Sequence, residues 1–161
     1  MRTIPTICLL ILTARTAATG AAPAIPSLPT IAKFPIRESP IQLSQPLRRG
    51  KYVDAPGRRA ALIGREEGVF EAWVYPMKIA RELRLTFNVE GYSYPMQAAD
   101  LAESIAVRPE CRTITWSHAA FTVRAHLLTP VEEPGSLILL DVDSSRKMSI
   151  TVNFLIDLVP M

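Results

Sequence analysis

The side chains best suited to chemistry lie in one short stretch, GREEGVFEAWVYPMKI, residues 64 to 79. Its residues alternate: Glu71, Trp73 and Tyr75 fall on one side, Phe70, Ala72 and Val74 on the other. Period two marks a β-strand, whose successive side chains point to opposite faces. An acid beside two large rings suits a sugar, because rings stack on the apolar face of a pyranose and a carboxylate accepts hydrogen bonds from its hydroxyls. The same face could be covered instead by a second sheet or another domain, since aromatic side chains dominate such buried contacts. Packing is the reading we favour over a sugar platform. Tyr92 and Tyr94, on a turn-rich segment, make a second candidate patch with the same two readings.

Catalytic groups are harder to place. A glycosidase sets two carboxyl groups about 5 to 10 Å apart across the bond it cleaves. Glu66 and Glu67 are neighbours on what reads as a loop, with no partner to raise either pKa, so they read as solvated acids. His118 and His126 lie in strand-rich sequence, without the helical i, i+4 spacing of a zinc protease, and read as structural. Asp141 and Asp143 share a strand face, yet calcium takes six or more oxygens and no calcium-type loop follows them. There is no Gly-rich phosphate loop, nucleophile elbow or Cys/His cluster. The reading is therefore no catalytic residue, no metal and no cofactor within these 161 residues.

The elements that must position these side chains are strands. Leu83, Leu85, Phe87 and Val89 alternate with Glu82, Arg84, Thr86 and Asn88 across residues 81–89. Residues 119–128 repeat the pattern with Phe121, Val123, Ala125 and Leu127, and residues 148–158 repeat it with Ile150, Val152, Phe154, Ile156 and Leu158. Shorter strands fit 104–108, 113–117 and 136–142, with turn signals at Glu90-Gly91, Arg108-Pro109 and Pro130 to Gly135 between them. MQAADLA, residues 96–102, suits a short helix or an irregular crossover. Closely spaced strands joined by turns predict an all-β fold, an antiparallel β-sandwich over residues 60–161.

What precedes residue 60 differs. Arg2, the apolar run Ile7 to Leu12 and the small residues Ala17 to Ala22 predict a signal peptide over 1–22. The run is shorter than the roughly 20 residues that cross a bilayer, so no membrane anchor is expected once it is cut. Six prolines between residues 23 and 46 predict an extended, basic linker over 23–59. The formal charge of +3 divides unevenly: residues 1–59 carry nine Lys/Arg against two acids, residues 60–161 nine against thirteen. The folded part is thus mildly acidic, which argues against nucleic acid as a partner. If Cys8 leaves with the signal, Cys111 remains alone as a small buried hydrophobe, and no internal disulfide forms.

Several blocks together carry a resemblance: GREEGVFEAWVYPMKI, FNVEGYSYP, IAVRPE and TITWSHAAFTVRAHLLTPVEEPGSLILLDVDS. Over residues 60–161 the chain resembles the N-terminal β-sandwich of bacterial glycogen-debranching, amylo-α-1,6-glucosidase-type glycoside hydrolases. In that family further sandwich strands and a helical α/α barrel with the catalytic carboxylates follow. None of those catalytic positions falls within this sequence. The resemblance implies a partial super-sandwich: the non-catalytic leading domain of a secreted or periplasmic hydrolase, with an α-glucan or oligosaccharide as ligand and a C-terminal barrel as partner. On that view residues 148–158 are an exposed apolar edge, and the sandwich made alone is marginal and prone to associate. The alternatives are a free-standing carbohydrate-binding sandwich and a secreted structural or interaction module.

Overall fold

Residues 121–128 show why this chain forms sheets. Phe121, Val123, Ala125 and Leu127 are all buried, while Thr122, Arg124, His126 and Leu128 between them are not. A segment patterned this way can satisfy its backbone and hide its apolar side only as a strand with one face on a core.

The computed structural model describes residues 39–160. They form strands β1 (Leu43–Pro46), β2 (Tyr52–Pro56), β3 (Ala60–Arg65), β4 (Val69–Val74), β5 (Met77–Val89) and β6 (Met96–Gln97). One helical turn, α1 (Ala98–Leu101), leads into β7 (Ala102–Val107), β8 (Arg112–His118), β9 (Phe121–Leu128), β10 (Leu137–Ser144) and β11 (Met148–Pro160). A five-stranded sheet runs in the order β1-β7-β8-β9-β10, and a six-stranded sheet in the order β11-β5-β4-β3-β2, with β6 added beside β5. All pairings are antiparallel. The fold is an all-β sandwich.

The core lies between the sheets. Trp116 and Phe87 are fully buried, with ring centroids 5.9 Å apart at a T-shaped angle, and Phe121 packs edge-on to Phe87 at 5.1 Å. Leu62, Phe70, Leu85, Ile105, Ile114, Val123 and Leu127 complete it. Each such large side chain contributes about 1.5–3 kcal/mol on full burial. Gly68, at φ +95°, turns the chain from β3 to β4 directly over the Trp116 indole, where a Cβ would stand 2.6 Å from Cζ2. Glycine alone fits that approach.

Two parts of the sequence reading change. The linker assigned to 23–59 stops short, because β1 and β2 lie within it and pair with β7 and β3. Proline misled here: Pro46 closes β1 at the edge of its sheet, a position where its missing N–H costs no ladder bond. Nor is 64–79 one strand. The turn at Glu66-Glu67-Gly68 separates β3 from β4, and Tyr75-Pro76 separates β4 from β5. The signal-peptide assignment and Cys8 lie outside the described residues.

Candidate functional site

The aromatic hairpin comes first. On β4, Phe70 is buried towards the core, so Glu71 and Trp73 face outward. Trp73 pairs across the ladder with Lys78 of β5, which brings the two side chains together. Trp73 Nε1 donates to Glu71 Oε2 at 3.2 Å, and Lys78 Nζ stands 3.2 Å from the same oxygen. Lys78 Nζ also sits 5.0 Å from the centre of the Trp73 ring, a cation–π distance. Asp157 of β11 extends the cluster, with Oδ2 3.9 Å from Lys78 Nζ and 3.5 Å from Arg81 Nε.

This arrangement changes what the triad can do. The Glu71 carboxylate accepts from its own neighbours, and an ammonium covers a ring face on which a sugar would stack. Tyr75 leaves the strand face altogether, since it lies in the turn after β4, where its backbone N–H donates to the Arg59 carbonyl at 2.9 Å. Tyr92 is engaged as well. It packs edge-on against His118 at 5.1 Å, and the Arg146 guanidinium lies 5.7 Å from its ring centre. Tyr94 is 83% exposed. The five residues therefore sit as one internally paired cluster, Glu71 with Trp73, and three separate tyrosines.

Glu66 and Glu67 are not the solvated acids that their loop position predicted. Glu66 is only 4% exposed. Its carboxylate accepts from the Arg48 backbone N–H at 2.8 Å and from Gln45 Nε2 at 3.3 Å, with Arg48 Nη2 at 3.7 Å. Glu67 accepts from the Gly50 N–H at 3.1 Å. The pair thus clamps the connection between β1 and β2 onto the β3–β4 turn. Nothing local in the sequence announces this, because the partners lie 17 to 21 residues away.

His118, His126 and Asp141 make contacts within the fold. His118 stacks on Phe121 at 5.3 Å, and its Nδ1 accepts from the Ala120 N–H at 3.3 Å. His126 Nδ1 shares a 3.0 Å hydrogen bond with Thr113 Oγ1. Burial lowers the His126 pKa below its ordinary 6.5; Asp141 raises it, and Arg108 and Arg124 add to the lowering. Asp141 is held by Arg124 at 3.3 Å. Cys111 is buried and free. Among the described residues no three His, Cys, Asp or Glu side chains gather as metal ligands, and no helix is long and apolar enough to cross a membrane.

A second feature was missed at the level of sequence. The outer face of the six-stranded sheet carries an open trough of about 800 Å³, with β5 as its floor. Glu82, Arg84, Thr86 and Asn88 line that floor, Pro95 and Gln97 one wall, and residues 151–155, apolar at Val152, Phe154 and Leu155, the other. The floor residues were visible as the polar half of an alternating strand. Their neighbours were not, because the β5–β6 and β5–β11 pairings join segments far apart in the chain.

No protein-family model, curated protein or solved structure matches the chain.

Proposed function

We propose that this chain is a non-catalytic β-sandwich module of a secreted or periplasmic α-glucan-active glycoside hydrolase, and that it works by docking onto a helical catalytic domain. The resemblance to glycogen-debranching hydrolases supplies the identity of the partner. The observation that carries the docking is strand β11. Met148 and Ile150, at its start, pack against the core, but the apolar alternation continues beyond the core's reach. Val152, Phe154, Leu155, Ile156, Leu158 and Val159 are all exposed, Ile156 by 73% and Leu158 by 63%.

An edge strand this long and apolar invites a partner. Among the described residues no strand pairs with its outer side. Its sole charge, Asp157, is already paired with Lys78 and Arg81, so it does little to repel one. Covering these side chains is worth on the order of 1 kcal/mol each, given that most are already half-buried. At the opposite edge of the sheet, beside β2, the Arg58 N–H donates to the Val131 carbonyl and Thr129 Oγ1 to the Ala55 carbonyl. That edge is closed by a loop; among the described residues, β11 is not.

Amide hydrogen exchange tests the docking. The same peptides are compared in protein isolated from its native cells and in the 161-residue chain made alone. Amides of residues 152–159 are expected to exchange at least about tenfold more slowly in the native preparation, where the partner domain covers them. Equal, fast exchange in both would remove the docking reading. A second reading, a free-standing carbohydrate-binding sandwich, is favoured by the polar trough.

A further inference from the structure

We propose that the trough on the outer face of the six-stranded sheet, between β6 and β11, is a binding site for a neutral oligosaccharide. The inference rests on the carbohydrate-binding reading above, since a catalytic domain seated on β11 would cover Phe154 and with it one wall of the trough.

Three properties of the trough lead to this ligand. First, its floor and walls are rich in groups that both donate and accept. Asn153 Nδ2 donates to Thr86 Oγ1 at 3.2 Å, Thr86 Oγ1 donates to Gln97 Oε1 at 3.4 Å, and Asn88 Nδ2 donates to Thr151 Oγ1 at 3.3 Å. These bonds fix the side chains in place across three strands. A primary amide offers two N–H donors and an acceptor oxygen, so each Asn or Gln retains hydrogen-bonding capacity beyond the network. Sugar hydroxyls, which also donate and accept, match that pattern without a net charge on either side.

Second, charge is cancelled within the trough. Arg84 is ion-paired with Glu82 beside it, so a phosphate or carboxylate would meet no surplus cation on the floor. A wholly apolar ligand would strip water from the amides and hydroxyls and return no hydrogen bond, whereas a sugar can also lay its apolar faces on Val152, Phe154 and Leu155.

Third, the shape suits a chain. A volume of about 800 Å³ is within the range of ligand sites, and the trough is open rather than enclosed, so a chain longer than the site could lie across it. Phe154, half-exposed on the β11 wall, offers a ring against which the apolar face of a pyranose can lie. The hairpin ring Trp73 lacks this availability, since Lys78 covers it.

The test is isothermal titration of the full chain with four soluble oligosaccharides: maltoheptaose, cellohexaose, xylohexaose and mannohexaose. At least one is expected to bind with a Kd of about 0.1–1 mM, as a shallow site with few contacts allows. Asn153→Ala and Phe154→Ala are each expected to weaken that binding about fivefold or more, the loss of roughly one hydrogen bond or one ring contact. Asn88→Thr keeps a strand-forming residue while removing the amide, so its weakening would separate lost recognition from lost folding. Unaltered thermal unfolding of each variant is the accompanying control. The proposal is overturned if none of the four sugars binds. It is equally overturned if binding survives all three trough variants but disappears in Trp73→Ala, which would return the site to the β4–β5 hairpin.

Discussion

Glu66 holds two otherwise separate stretches of chain together through its buried carboxylate. In Glu66→Ala the Arg48 N–H and Gln45 amide lose their acceptor, and a buried void replaces it. Leaving such donors unmatched costs about 2–3 kcal/mol, so the urea midpoint should fall clearly, whereas an unchanged midpoint would refute the clamp. His126 gives stability a pH dependence of definite sign. Its folded-state pKa lies below 6.5, so as pH falls below that value the unfolded chain takes up a proton that the fold resists. Stability should therefore decline as pH drops from about 6.5 and level off once the folded imidazole also titrates, with no His126 contribution above that window. His126→Gln should flatten this slope in urea titrations at stepped pH. At this scale the sequence is least legible. Cys111 can be read as a buried hydrophobe from its isolation, but the clamp at Glu66 depends on which loop folds over it.

Elements are legible where alternation is long. Residues 83–89 and 121–127 show their faces in the sequence because a half-buried strand requires period two. In 148–158 only Met148 and Ile150 reach the core; the pairing register shifts beyond Asn153, and the remaining apolar side chains are exposed. The helical turn at 98–101 follows from its alanines, and turns follow from Gly and Pro. Partners are not legible, since pairing is decided by packing between distant segments. That is why β1 and β2 are hidden among prolines and why the trough between β6 and β11 has no local signature. The edge at β11 is expected only from the resemblance, because the alternation of 148–158 by itself reads as an ordinary half-buried strand. In the chain made alone this edge should pair with another copy, giving sedimentation that depends on concentration. Ile156→Lys places a charge on the exposed strand and should abolish that dependence while leaving the unfolding midpoint within about 0.5 kcal/mol. Association unaffected by the lysine would assign the contact elsewhere.

The described residues form a sandwich whose six-stranded sheet is closed at one edge and uncovered at the other. Trp116, Phe87 and Phe121 lock the sheets together, the 129–131 loop closes the β2 edge, and β11 extends an apolar strand beyond the core. On the proposed docking, a neighbour buries this exposed apolar surface. The neighbour proposed above is a helical glycoside-hydrolase domain, on the same polypeptide or a separate one. The direct measurement is a photo-crosslinking residue at position 156 in the protein expressed in its native cells, with the joined peptides identified by mass spectrometry. Adducts are expected within a helical catalytic domain that hydrolyses glycans. Adducts only to another copy of this sandwich, or to a protein with no glycan chemistry, would contradict the proposed docking.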